Sequence, residues 1–230
     1  EHAVTTHPAI VGAVIDHVRS LGAYVAVGDS PGGAVRGIAR VLNKTGIARV
    51  CESRGVEFVN FEASGWSRIS LVDTSYEIAR AVSEFDLVIN LPKFKTHVLT
   101  LITGAVKNTF GCVPGFRKSA LHLANPKPDE MASAIVDIFA IVKPFFNLLD
   151  AVYAMEGDGP ASGRPIHLGI IGASTDAVAL DAVLAHLIGL DPDRVPTTRI
   201  AHERSLGEGS IDTIEIKGSD PAQVRPASFS

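Results

Sequence analysis

Cysteine is nearly absent from this sequence: Cys51 and Cys112 are the only two, well separated and in no C-x-x-C pattern. Their number and spacing argue against a disulfide framework, a zinc finger or a self-contained iron–sulfur cluster, and they point to a reducing cytoplasm. Aromatic residues are scarce, at 6%, which leaves little material for stacking single-stranded bases. No apolar run approaches the roughly 20 residues that span a bilayer. No signal peptide is visible, and the chain opens on Glu1 rather than Met, so it reads as a fragment or a processed form. Excess positive charge is missing too. The formal net charge of −4 gives no bulk attraction to nucleic acid or to an anionic membrane.

What is present suits one soluble α/β domain over residues 1–230. Apolar residues make up 46% of the chain, and Ala, Val, Ile and Leu dominate them. Thr6 is placed to cap a first helix that carries Pro8 in its first turn and stops at Gly22. A strand over Ala23–Val27 runs into Gly28-Asp29-Ser30-Pro31-Gly32-Gly33, and a helix over Val35–Leu42 follows. Val56–Phe61 reads as a strand, Ile69–Val72 as a weaker one, and Thr74–Phe85 as a helix. Asp86–Leu91 is an apolar strand that should end at Pro92, which has no amide hydrogen to give. A short helix is expected around Thr103–Phe110, then an irregular stretch, Gly111–Pro128. Glu130–Val142 predicts a buried helix stopped by Pro144. Strands at Phe145–Tyr153 and His167–Ile171 flank a turn-rich segment, and helices follow at Thr175–Ile188 and Val195–Ser205. Ile211–Lys217 alternates with period two, as an edge strand does, and residues 219–230 read as a tail. Strands alternating with helices predict a three-layer fold: a mostly parallel sheet with helices on both faces and an irregular basic loop region. Ligands in such sheets bind beyond the carboxyl ends of the strands.

The strongest chemical signal is DLVINLPKFKTH. In an extended loop past Pro92, Lys93, Lys95 and His97 point the same way. Clustered cations repel unless an anion or carboxylates lie between them, and the repulsion lowers a lysine's pKa toward use as a base or nucleophile. Lys107 and Asn108 follow on the short helix, then Arg117, Lys118 and His122. Between Lys93 and His122 there are five Lys or Arg and two His with no Asp or Glu, inside a net-negative chain. A solvated patch, or one that meets a partner, has the same composition. Lys93, Lys95, His97, Lys107, Asn108 and His122 are therefore the candidate catalytic residues, with Asp29, Ser30 and Lys118 as candidate substrate contacts. Glu156 and Asp158, in the turn MEGDGP, are candidate ligands for a divalent metal, though turns favour Asp for its own sake. Asp137 and Asp181 sit in apolar helices and need partners, for which the lysine cluster is the evident source. Cys112 lies beside the basic segment, where positive charge would expose its thiolate; a buried, inert thiol is the plainer reading.

The segments THPAIVGAV, GAYVAVGDSPGG, LVINLPKFKTHVLTLITGAVKNTFGCVPG, MEGDGP and TDAVALDA together resemble the family known as domain of unknown function 362, from about Thr6 to Gly218. The resemblance implies no settled activity. It implies an association with iron–sulfur chemistry through a ferredoxin-like module with clustered cysteines, which would have to lie outside these residues, and a first strand upstream of Glu1. The family's functional positions, carried over, match Asp29, Lys93, Lys95, His97, Lys107, Asn108, Lys118, His122, Glu156 and Asp181.

The function these readings predict is that of an enzyme, or an enzyme domain, acting on a small anionic substrate such as a carboxylate or phosphate ester. Lys93 and Lys95 would hold the anion, His97 or His122 would move a proton, and Asn108 would orient a carbonyl. A non-catalytic domain that binds an anionic ligand is the alternative. Expected partners are a small anionic molecule and either a ferredoxin-like module or further copies of the chain; a membrane is not expected, and nucleic acid is disfavoured.

Overall fold

The computed structural model describes residues 3–30 and 37–229. In chain order the elements are α1 (Pro8–Ser20), β1 (Ala26–Asp29), α2 (Ile38–Thr45), α3 (Ile47–Arg54), β2 (Glu57–Asn60), β3 (Trp66–Leu71), β4 (Thr74–Ala79), α4 (Ala81–Glu84), β5 (Ile89–Asn90), β6 (Lys93–His97) and β7 (Leu101–Thr103). After these come α5 (Ala105–Asn108), α6 (Gly115–Ala124), α7 (Pro128–Val142), β8 (Phe146–Glu156), β9 (Arg164–Ser174), α8 (Ala177–Leu187), α9 (Pro196–Glu203) and α10 (Pro221–Val224), with short 3-10 turns between some of them. The fold class is α/β. The chain divides into two compact units: one holds 1–4, 87–109 and 125–230, the other 5–86 and 110–124.

The second of these units pairs β1 with β2 in parallel, so Asp29 and Asn60 end the two strands together. Val11, Ile15, Cys51 and Val56 are buried around them. His7, rather than Thr6, caps α1: its Nδ1 accepts from the Ala9 amide at 3.2 Å. Pro31–Gly33 of the predicted glycine-rich loop, and the start of the helix expected from Val35, lie outside the described residues.

Two further expectations for this unit are corrected. Thr74–Ala79 is a strand, not the start of a helix, and pairs antiparallel with β3. The alternation Tyr76, Ile78 puts those two side chains in the core, and the two-residue turn Val72–Asp73 leaves no length for any other connection. The stretch expected to be irregular contains the ten-residue helix α6. Its interior, FRKSALHLA, is free of Gly and Pro, and those residues crowd only the flanks.

The other unit is built on a five-stranded sheet centred on β8. β5 and β6 lie in line along one edge of β8: Ile89, Asn90 and Lys93 face Phe146, Asn147 and Asp150 in one parallel register. β9 forms an antiparallel hairpin with β8 on its other side, and β7 returns antiparallel to β6. The sheets are thus mixed rather than mostly parallel, because the connections β3–β4, β6–β7 and β8–β9 are too short for crossovers.

Pro92 does not end the strand, and Lys93–His97 is its continuation rather than a loop beyond it. The ladder uses the Pro92 carbonyl, which accepts from the Asp150 amide at 2.9 Å, and does not call on the missing N–H. Phe94, Leu149, Met155, Ile135 and Ile138 form the buried centre of this unit. The predicted edge strand is a 3-10 turn at Ile211–Thr213. Local bonds dominate there: Glu208 accepts from the Ser210 amide and Thr213 donates to the Ser210 carbonyl. The expected tail is docked, with Phe229 stacked on Phe94 at 5.6 Å between ring centroids.

Val72 heads the β3–β4 turn at φ 52 and is 90% exposed. A two-residue hairpin turn with positive φ at its first position favours glycine there, and a β-branched residue is strained. Val72→Gly is therefore expected to stabilise the protein by about 1 kcal/mol, read as a higher urea midpoint with an unchanged slope.

Candidate functional site

In an apolar sheet every polar side chain must find a partner or carry a cost of a few kcal/mol. The unit centred on β8 places several such groups side by side. Asn90 and Asn147, register partners on β5 and β8, are both buried. Asn90 Nδ2 donates to Asn147 Oδ1 at 2.8 Å and to the Ala105 carbonyl at 2.8 Å. Asn147 Nδ2 donates to the Ser174 carbonyl at 3.2 Å, which carries the polar rung onto β9. Asn108 completes the set from α5, donating through Nδ2 to Asn90 Oδ1 at 2.8 Å.

Next along β6, Lys93 Nζ meets Asp150 Oδ2 at 2.9 Å, with side chains 7% and 0% exposed. Asp150 Oδ1 also accepts from the Val152 amide at 3.2 Å, where the β8–β9 register shifts. Lys93 thus lies against a carboxylate of its own sheet. Lys95, two residues on, donates to the Val4 carbonyl at 2.9 Å. His97 Nδ1 accepts from the Leu99 and Thr100 amides at 3.1 and 3.4 Å, closing the turn into β7. Lys107 stands half-buried beside Asn108 on α5.

The opposite end of α5 rests on Asp181 of α8. Asp181 Oδ1 accepts from the Ala105 amide at 2.6 Å and Oδ2 from the Val106 amide at 3.0 Å. A Cβ on Gly104 would lie 2.1 Å from that carboxylate, so only glycine admits it. Burial pushes the Asp181 carboxyl up to about 7, against the pull of the two amides, with Asp176 adding to the rise. The lysine partners expected for Asp181 and Asp137 are therefore not the partners seen. Asp181 takes backbone amides, and Asp137 takes Arg204 at 2.6 Å. Lys93 of the segment is taken by Asp150 instead.

Lys118 and His122 belong to the other unit. Lys118 is buried on α6, and its Nζ donates to the Ser30 carbonyl and to Ser30 Oγ, the latter at 2.9 Å. The Ser30 hydroxyl donates to Glu62. This cluster stands at the carboxyl ends of β1 and β2, as the rule for parallel strands requires, and joins the candidate contacts Asp29, Ser30 and Lys118. Burial lowers the Lys118 pKa, opposed by Asp29 and Glu62. His122 is exposed, its ring edge-on to Phe110 at 5.7 Å.

Glu156 faces Arg164 across the β8–β9 hairpin at 3.2 Å, and Asp158 lies exposed in the turn. Among the described residues no three His, Cys, Asp or Glu side chains gather as a metal site. The thiols do not fit a four-thiolate cluster. There are two of them, Cys51 is buried on α3, and burial pushes the Cys112 thiol up to about 12 with Asp29 adding to the rise, where a ligand must be a thiolate. Asn90, Asn147 and Glu62 were not singled out from the sequence. The first two had a visible signal, an Asn inside an apolar run; Glu62 had none.

Comparison with known proteins gives three findings. The model of the family described as Domain of unknown function (DUF362) matches residues 1–186. The Thylakoid-associated protein sll1697 of Synechocystis sp. is 33% identical over 204 residues, which is 88% of this chain and 62% of that protein. The chain thus spans less than two thirds of the length of that relative. No solved structure matches.

Two outcomes test this geometry. Lys93→Met leaves the buried Asp150 carboxylate without its counter-ion and is expected to cost about 3–5 kcal/mol, most of which Lys93→Met combined with Asp150→Leu restores; urea denaturation measures both. Cys112 should resist iodoacetamide at pH about 8 in the native protein and react at once in denaturant, because only the thiolate attacks; mass spectrometry of timed samples follows it.

Proposed function

We propose that this chain, which belongs to the DUF362 family, is the substrate-handling part of an enzyme acting on a small molecule with a carboxylate or phosphate group. The observation that carries the reading is the polar rung Asn108–Asn90–Asn147 in an otherwise apolar sheet, with the Lys93–Asp150 pair three residues further along the same register. Apolar residues of the same volume would make a sheet at least as stable, so groups of this kind mark places where position matters more than stability. They fix α5, and α5 carries Lys107 and Asn108. Lys107 and Lys95 supply positive charge to an anion, Asn108 offers an amide to orient a carbonyl or phosphoryl oxygen, and His97 is the proton carrier of the same unit. Lys118, buried beside Ser30, gives the other unit a cation of its own for contact with an anion.

A non-catalytic domain that binds an anionic ligand is the second reading. The pairing of Asn90 with both Asn147 and Asn108 favours it, because preorganised groups raise affinity whether or not a reaction follows. A divalent metal at Glu156 and Asp158 is a further proposal, supported by the two carboxylates of the turn MEGDGP, and electron delivery from a separate cysteine-rich module is one that the resemblance supports. No described helix is long and apolar enough to cross a membrane. We place the chain in the cytoplasm on its cysteine usage, and note that its relative is named for association with thylakoids.

Thermal-shift screening with phosphate, small carboxylates and sugar phosphates is the test. Binding is expected to raise the melting temperature, and Asn108→Ala to weaken the affinity by roughly tenfold, as the loss of one hydrogen bond to a charged group does. Conversion of a bound compound, followed by mass spectrometry, selects the enzyme over the binding domain. No stabilisation by any anion sinks both.

A further inference from the structure

We infer that Asp181 is a positioning residue, which holds the start of α5, the helix that carries Lys107 and Asn108, in its ligand-ready place only while its carboxylate is ionised. The inference rests on the reading of α5 above and adds to it the residue that sets α5 and the condition under which it does so.

The geometry comes first. α5 is a single turn of four residues, too short to persist on its own. Its N-terminal amides have no partner inside the helix, and two of them, Ala105 and Val106, point at the two oxygens of one carboxyl group. Each oxygen is used as an acceptor. Gly104 lies so close that any side chain would displace the group. The far end of α5 is tied by Asn108 to Asn90, and Asn90 in turn donates to the Ala105 carbonyl. The helix is thus clamped at its start by Asp181 and along its length by the asparagine rung.

Protonation changes only one of these clamps. A neutral carboxyl keeps one carbonyl acceptor and turns its other oxygen into a hydroxyl, whose proton meets an N–H where an acceptor stood. One of the two amide bonds is lost, and the first turn of α5 loosens. Burial has brought the group's titration to about 7, within the range a cell visits. Among the described residues Asp176, at the start of the same helix, is the charged group whose field acts on it, and it favours the proton. α5 brings Lys107 toward its own C-terminal end. The other elements packed on α8 include α9, α10, β9 and the turns Pro192–Arg194 and Ile211–Thr213, which carry Asp193, Arg194 and Asp212; of the charges among the described residues, Asp176 is the one that shifts this carboxyl.

The sign of the stability effect is opposite to that of the clamp. The folded pKa lies above the ordinary value of 3.8, so this group's contribution to folding is complete below about pH 4 and is lost as pH rises through about 7. The hold on α5 instead increases over that same rise. A residue that merely filled space would show neither trend.

The test follows the backbone amides of Ala105 and Val106 and the side-chain amide of Asn108 by NMR between about pH 5 and pH 9. All three are expected to titrate together with a midpoint near 7 in the wild-type chain, with the protection of the amide at position 105 or 106, relative to its intrinsic exchange at each pH, rising by roughly tenfold above it. Asp181→Asn should abolish that titration and remove the fall in urea midpoint between about pH 5 and pH 7. Inorganic phosphate, the probe anion, itself gains charge between about pH 6 and pH 8, so the comparison is with the variant: the gain in affinity over that rise should be about threefold to tenfold larger in the wild type than in Asp181→Asn. Flat amide signals in the wild type, or a titration at 105 and 106 that Asn108 does not follow, would overturn the inference whatever the variant does. Failure of phosphate to bind at any pH would instead remove the anion-site reading, and the amide titration would still decide the role of Asp181.

Discussion

Everything proposed for this chain depends on one constraint: polar groups placed inside an apolar sheet must be paired within it. β8 meets the constraint twice, with Asn147 against Asn90 and with Asp150 against Lys93, three residues apart on the same edge. Both pairs are register partners, so a slip of one residue would break them together and leave a buried carboxylate facing an apolar side chain. The polar groups therefore specify the register as well as lining it. They also explain how β5 and β6 stay in line across Leu91 and Pro92, where a proline would otherwise invite the strand to leave the sheet.

From that register the rest of the unit follows. Because β6 continues β5, Lys93 lies within the sheet, and because His97 turns the chain at once into β7, α5 begins close to the strand that precedes it. Asn108 can then reach back to Asn90, and Asp181 can reach forward to the amides of α5. A helix of four residues has little stability of its own. Here tertiary partners supply what its length cannot, and the side chains it carries are fixed as firmly as those on the strands.

Much of this was legible in the sequence, and the gaps have physical causes. Runs such as DLVINL, the Ala/Leu helix with Asp176 at its start, and the helix ended by Pro144 were readable because pattern and punctuation agree. TSYEIA reads as helical because six residues are too few to separate the two periods. What decides them is the two-residue turn at Val72, which carries no Gly or Asn to announce itself. FRKSALHLA was hidden by the Gly and Pro on its flanks. The basic segment stands out in composition, but treating Pro92 as a terminator puts it in a loop beyond the sheet; period two puts Lys93 and Lys95 on one face, and the register shift between them is what breaks that period. Proline forbids only its own amide bond, and this ladder does not need that bond. Sequence reasoning also looked to lysine as the partner of every buried acid, since amides leave no trace in composition.

Three acids of the unit centred on β8 show why that last assumption matters. Asp150 meets Lys93 and Asp137 meets Arg204, so each faces a full opposite charge at hydrogen-bonding distance. Asp181 faces only the partial charges of two N–H dipoles, although it is as deeply buried as Asp150. Dipoles orient a carboxylate well, but they return only part of the solvation that burial removes. The balance at Asp181 therefore falls near neutrality, where a proton can alter it. A lysine at that position would have made the contact permanent; two amides make it conditional, and the helix they begin carries Lys107 and Asn108.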